Sequence, residues 1–167
     1  MAAQKESYCT IFLTQNQVAI VDREDYEGLN KFKWQAQWEP TSHCFYAVRN
    51  KVVEGKQILI RMHREILGLK YKDGKFCDHK NRNGLDNRRL NLRVATRNQN
   101  MHNSSRVIPG CSGMRGVYFQ PITRKWRATI RVSGRQVHLG YFETKSDARV
   151  AYCEAAIKYR GEFARLE

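Results

Sequence analysis

The stretch Phe76-Cys77-Asp78-His79-Lys80-Asn81-Arg82-Asn83-Gly84-Leu85-Asp86-Asn87-Arg88-Arg89-Leu90-Asn91-Leu92-Arg93-Val94-Ala95-Thr96-Arg97-Asn98-Gln99-Asn100 contains what a metal-assisted phosphodiesterase needs. A hard divalent cation such as Mg²⁺ prefers oxygen ligands, and Asp78 and an asparagine side chain supply them. A neutral imidazole such as that of His79, with an ordinary pKa of about 6.5, can take a proton from water near neutral pH. One divalent cation is therefore expected, Mg²⁺ first and Mn²⁺ as an alternative. Zinc is disfavoured because no cysteine enters the ligand set. Asparagine spacing alone carries little weight, since seven of the residues from 81 to 103 are Asn. The weight lies in the conjunction of an adjacent Asp-His pair, Leu92 after Asn91, a helix cap at Thr96 and Asn100 one turn inside that helix.

The elements that must position these groups follow from the pattern around them. Thr96 with Gln99 forms a capping box and starts a helix that carries Asn100. Asp78 and His79 are neighbours on a strand, and neighbours on a regular strand point to opposite faces, so both can serve one phosphate only if the strand bends or ends there. From Tyr8 to Arg61 short apolar runs (10–13, 18–21, 45–48, 58–60) alternate with polar breaks, which predicts a small antiparallel sheet. One helical turn is expected within 25–29 and a short helix from Met62, ended by Gly68. Trp34 and Trp38 are expected to pack on the sheet, and His43, with no motif around it, to lie at the surface.

The middle segment closely resembles the HNH endonucleases, particularly the phage and intron-associated homing type, from His63 through Asn103. The resemblance implies a ββα-metal site with Asp78-His79 at the end of the first strand and Leu92-Arg93-Val94-Ala95 as the second strand. By the family's roles His79 is the general base, Asp78 and Asn100 hold the metal, and Asn91 ties the loop together so that His79 points correctly. His63 matches a family position just before the site, where it either supports the fold or contacts the phosphate. His102 and Asn103, near the metal helix, fit a solvated or DNA-backbone role better than ligation.

The whole chain has 167 residues and a net charge of +14. Residues 1–60 hold seven basic and seven acidic side chains, so all of the excess falls in 61–167. Basic residues interleaved with aromatics and Asn suit a nucleic acid rather than a membrane surface. No apolar run is long enough to span a bilayer and residues 1–10 lack an apolar signal core, so an intracellular, cytoplasmic protein is expected; the HNH resemblance implies that it acts on DNA in a phage-infected or bacterial cell. The cysteines (9, 44, 77, 111, 153) are odd in number and form no C-x-x-C pair, which marks them as ordinary reduced thiols.

Residues 104–112, with Ser, Pro and Gly but no periodicity, read as a linker. Beyond it, strands are expected at 115–120, 126–132 and 136–142, with a tight Ser133-Gly134 turn. A helix follows, capped by Thr144 with Asp147, carrying Ala148, Ala151, Tyr152, Ala155 and Tyr159 at helical spacing and closed by Gly161. Residues 113–167 resemble the APETALA2-type (ethylene-response-factor) DNA-binding domain through Gly113-Met114-Arg115-Gly116-Val117-Tyr118, Lys125 to Arg131, Val137 to Phe142, and Ala148 to Ala156 with Gly161. In that family the sheet enters the major groove while the helix packs behind it. By position Arg115, Tyr118, Gln120, Arg127, Thr129, Arg131, Gln136 and His138 face DNA, whereas Arg124, Lys125 and Arg135 at the turns hold phosphates.

The expected fold class is α+β: an N-terminal small antiparallel sheet leading into a ββα-metal nuclease core, then a three-stranded antiparallel sheet packed on one helix. The domains are 1–61 (β-rich extension), 62–103 (nuclease core), 104–112 (linker) and 113–167 (reader). The expected function is a metal-dependent, site-directed endonuclease on double-stranded DNA, with no membrane or obligate protein partner. One nuclease motif per chain makes nicking by a monomer the simpler expectation. The competing reading is a non-catalytic DNA-binding regulator with a degenerate HNH fold; an RNA-binding basic protein fits the charge but explains neither motif.

Overall fold

The computed structural model describes residues 7–70, 73–97, 99–100, 113–164 and 166. The chain forms two compact units, divided between Asn100 and Met101. Four small antiparallel sheets and few helices make up the described residues. No helix among them is long and apolar enough to cross a membrane. His102, Asn103 and the linker 104–112 lie outside the described residues.

In the first unit β1 (Tyr8–Phe12) and β2 (Val18–Asp22) form a hairpin, followed by α1 (Arg23–Leu29). A second sheet has the order β3-β4-β5, from β3 (Gln35–Glu39), β4 (Cys44–Val53) and β5 (Lys56–Arg61). The single N-terminal sheet expected from the apolar runs is thus two. The extra strand, Gln35-Ala36-Gln37-Trp38-Glu39, is mostly polar; its pairing to β4 in register Gln35↔Val48 to Glu39↔Cys44 creates it. Helix α2 (Met62–Ile66) leads to β6 (Phe76–His79), which pairs with β7 (Leu92–Ala95).

One apolar core serves this whole unit. Ile11, Ala19, Val21, Leu29, Trp34, Ala47, Met62, Ile66, Leu85 and Leu92 form a single buried cluster. It draws on both sides of residue 61, so segments 1–61 and 62–100 bury their apolar faces against each other. Met62 is fully covered, which is worth about 1.5–3 kcal/mol. The Trp34 indole donates to the Leu29 carbonyl (2.9 Å), while Trp38 stays half exposed, edge-on to Phe45. His43 is exposed at the turn before β4.

In the second unit the sheet order is β10-β9-β8, from β8 (Val117–Gln120), β9 (Lys125–Val132) and β10 (Arg135–Phe142). Ser133 and Gly134 both take positive φ (48° and 81°), the geometry of a tight hairpin turn. The helix α3 (Lys145–Arg160) starts where Thr144 Oγ1 accepts from Asp147 N (3.1 Å) and ends at Gly161. Val117, Ala128, Ile130, Ala148, Tyr152, Ala155 and Ala156 are its core. Gly116 admits no side chain: a Cβ there would lie 2.4 Å from both the Thr129 carbonyl oxygen and the Tyr152 ring. The strand at 115–120 accordingly begins at Val117, after a turn.

Candidate active site and nucleic-acid interface

Strand β6 ends at His79, where the chain turns and Arg82 N donates back to the His79 carbonyl (2.9 Å). Asp78 and His79 are 6% and 5% exposed, which for groups of this polarity demands partners. Asp78 lies opposite Arg93 on β7, and the guanidinium reaches Asp78 Oδ2 through Nε (2.8 Å) and Nη2 (2.6 Å). His79 Nε2 lies 3.3 Å from Asn87 Oδ1.

Asn87 decides which imidazole nitrogen carries the proton. It is wholly buried, and its amide nitrogen donates to the Leu85 carbonyl (3.2 Å), which turns Oδ1 toward the imidazole. An amide oxygen only accepts, so in the neutral ring Nε2 carries the hydrogen and Nδ1 keeps its lone pair. Burial pulls the His79 pKa below the ordinary imidazole value, partly offset by the Asn87 hydrogen bond and the negative charge of Asp78. The neutral form that a base requires is therefore the form present at neutral pH.

The loop between β6 and β7 is held by its asparagines. Asn91 Oδ1 accepts from Asn81 N (3.0 Å), its amide donates to the Asp86 carbonyl (2.7 Å), and its own carbonyl accepts from Lys80 N (2.9 Å). Asn81 also donates to Asp86, whose carboxylate takes Arg88 in a two-pronged pair. The loop is then sewn onto β2: Ile20 N donates to the Leu85 carbonyl and Asn87 N to the Ile20 carbonyl, both at 2.8 Å. The N-terminal hairpin thus fixes the loop that fixes His79.

Thr96 and Gln99 form both halves of the capping box, with Thr96 N donating to Gln99 Oε1 (2.8 Å) and Gln99 N to Thr96 Oγ1 (3.3 Å). Asn100 is half-buried and its N–H donates to the Thr96 carbonyl (3.0 Å), one turn inside. Among the described residues no three His, Cys, Asp or Glu side chains gather as a metal cluster. Burial pushes the Cys77 thiol up to about 12.

His63, on α2, is brought edge-on to His79 with ring centroids 4.9 Å apart. It is 5% exposed, its Nδ1 has no hydrogen-bond partner, and its pKa is held well below the ordinary value by burial and then by His79 and nearby arginines. Sequence reasoning singled out His63 and His79 but passed over Asn87, Arg93 and Tyr46. Asn87 stood as one asparagine among many, and nothing local links Arg93 to Asp78 or Tyr46 to the histidines.

On the second unit's sheet, Ala128 and Ile130 are buried with Trp126 and Val132 packed beside them, which leaves Arg127, Thr129 and Arg131 to the outer face. Cross-strand pairing puts Tyr118 opposite Arg127, Gln120 opposite Lys125, His138 opposite Thr129 and Gln136 opposite Arg131. Arg124, Arg131, Arg135, Gln136 and His138 are exposed; Arg115, Tyr118, Gln120, Lys125 and Arg127 are half-buried. Thr129 is covered, at 4% exposure, so its side chain is part of the packing in this unit. A bulge between His138 and Gly140 shifts the register so that Tyr141 lies opposite Arg127, with its ring 4.8 Å from that of His138. Strict alternation from His138 places Tyr141 on the helix side; the bulge reverses it.

Residues 68–102 match the family model of the HNH endonucleases. The match takes in β6, the loop and β7, and leaves out Tyr46 and His63. Over 50 residues, 30% of the chain, the protein is 48% identical to APETALA2-like protein 2 of Oryza sativa, in both subspecies indica and japonica. Over a stretch of the same length it is 46% identical to the AP2-like ethylene-responsive transcription factor TOE2 of Arabidopsis thaliana. The chain spans only 12% of the length of the rice proteins and 10% of the Arabidopsis one. No solved structure matches the chain. One segment of the chain is thus similar to the HNH endonucleases and another to AP2-like proteins.

Proposed function

We propose that this protein is a metal-dependent, site-directed endonuclease on double-stranded DNA, of the homing type, which nicks as a monomer. The observation that carries the reading is the buried imidazole of His79 at the end of β6, held through Nε2 by Asn87, next to Asp78 and a loop tied by Asn91. His79 Nδ1 takes the proton of a water as the water oxygen bonds to phosphorus, and the bond from phosphorus to the 3′ oxygen breaks. A 5′-phosphate results, and the released 3′ oxygen takes a proton from solvent water to become the 3′-hydroxyl.

The donor set suits a hard cation. Asp78 and Asn100 offer oxygen, and Mg²⁺ binds through few protein oxygens and keeps several waters. When bound, Mg²⁺ or Mn²⁺ stabilises the charge that develops on the phosphate oxygens and the leaving group. His63 backs the imidazole of His79 in this reading.

The second unit supplies the site preference. Tyr118, Gln120, Arg127, Arg131, Gln136 and His138 line one sheet face around the covered Thr129, with Arg115 in the turn before β8 and Arg124, Lys125 and Arg135 toward phosphates. The AP2-like resemblance supports this, and the protein's place is on DNA inside the cell. A second reading, a DNA-binding regulator without cleavage, is favoured by one observation: Arg93 already occupies Asp78 Oδ2.

Supercoiled plasmid carrying the target, incubated with and without Mg²⁺, separates the two. Nicking by wild type that needs the metal, with loss of at least about a hundredfold in rate and unchanged DNA affinity in His79→Ala, supports the nuclease. Binding without nicking by wild type supports the regulator. Nicking by His79→Ala at the wild-type rate removes His79 from the role of base.

A further inference from the structure

Beside His79 stands a side chain from outside the HNH-matched segment and from a different sheet. Tyr46, the third residue of β4, lies with its ring centroid 5.8 Å from that of His79 and 5.5 Å from that of His63, edge-on to the latter. With the contact of 4.9 Å between the two imidazoles, the three rings close a triangle. His63 Nδ1 is buried without a hydrogen-bond partner, so on that side ring packing is what holds His63 in place.

Tyr46 is itself held on several sides. It pairs with Gln37 across β3–β4, and the Arg61 guanidinium sits 5.7 Å over its ring. The site loop comes down on it at Gly84, where a Cβ would lie 2.7 Å from two ring carbons of Tyr46 and 2.4 Å from the Phe45 carbonyl oxygen. Glycine at 84 is thus what lets the loop approach the ring. Burial pushes the Tyr46 phenol up to about 12, so it stays neutral and leaves the charge of the site unaltered.

We propose that Tyr46 is a positioning residue for cleavage: its ring, seated under Gly84, fixes the imidazoles of His63 and His79 and makes the N-terminal sheet part of the nuclease site. This rests on the reading of His79 as general base. The aromatic ring is the operative group, so phenylalanine serves as well as tyrosine.

The test compares single-turnover plasmid nicking at saturating protein, DNA affinity, circular dichroism and the imidazole proton resonances of His79 in the full chain. Tyr46→Phe is expected to keep the cleavage rate within about threefold. Tyr46→Leu and Tyr46→Met are each expected to lose about tenfold or more in rate, with affinity within about threefold and the His79 resonances shifted. A folded Leu or Met variant that cuts at the wild-type rate overturns the proposal, as does a loss confined to affinity, or a Phe variant as slow as Leu. Failure of both Leu and Met to fold also overturns it, since Tyr46 is then a core residue. His79→Ala is run in parallel: wild-type cutting by that variant overturns the base assignment itself, a result the Tyr46 variants cannot mimic.

Discussion

Arg93 and Asp78 lie opposite each other in the β6–β7 pair, and the guanidinium meets the carboxylate twice on one oxygen, Nε at 2.8 Å and Nη2 at 2.6 Å from Oδ2. Both side chains are close to fully buried, at 10% and 7% exposure. Removing one member of such a pair strands the other's charge in a low-dielectric setting, which costs about 3–5 kcal/mol. Arg93→Ala is accordingly expected to lower the urea midpoint of the first unit sharply. Pairing it with Asp78→Asn should recover part of that loss, because no uncompensated charge remains. Equal midpoints for wild type and Arg93→Ala would contradict the burial of this pair.

Asn87 is expected to matter for rate out of proportion to its distance from solvent. In Asn87→Ala the imidazole of His79 loses the acceptor that selects the Nε2–H form, and cleavage should fall about tenfold to a hundredfold. The Leu85 carbonyl also loses one of its two donors and keeps Ile20 N, so stability should fall by about 0.5–1.5 kcal/mol. Rate constants at a temperature where the variant is shown to be folded separate the two effects. A full rate there would mean the tautomer is set elsewhere.

Stability should depend on pH with a definite sign. Burial holds the pKa of both His63 and His79 below the ordinary imidazole value. The unfolded chain, with imidazoles near about 6.5, therefore binds protons that the folded chain does not. The stabilisation is fully present above about pH 6.5 and is lost as pH falls from there toward the folded values. Urea midpoints between pH 7.5 and pH 5 are expected to fall with acidity, and to fall less steeply in His63→Gln. Identical slopes for the two proteins would show that His63 is not the group responsible.

The bulge in β10 puts Tyr141 on the outer sheet face, where strand alternation misses it, and if that face reads DNA as proposed, Tyr141 is expected to take part. Opposite Arg127 and 4.8 Å from His138, its half-exposed ring extends the outer face of the sheet. A well-placed base-edge contact is worth about 1–3 kcal/mol of discrimination. Tyr141→Ala is thus expected to lower the preference for target over unrelated duplex about fivefold or more. The salt dependence of binding should stay as it is, because no phosphate-pairing charge is lost. Competition gel shifts at several salt concentrations measure both, and an unchanged preference removes Tyr141 from the interface.

Local signals in the sequence determined much of this protein. The Thr96–Gln99 and Thr144–Asp147 caps, the Ser133-Gly134 turn and the helix from 145 depend on neighbours within a few residues, where propensity and hydrogen-bond chemistry act directly. The end of β6 at His79 and the loop role of Asn91 follow from the HNH resemblance rather than from local signals, since Asn91 reaches Asn81, ten residues back. Tertiary structure alone decided the rest. A polar segment such as Gln35–Glu39 becomes a strand only by pairing with β4, and one core joins residues on both sides of position 61. Asn87 differs from its neighbouring asparagines only because Leu85 turns its amide and Ile20 anchors its backbone. Arg93 finds Asp78 across a ladder, Tyr46 finds the histidines across two sheets, and one inserted residue in β10 reverses the face of Tyr141. Each is a contact between residues far apart in the chain or a break in periodicity, and neither leaves a mark on local composition.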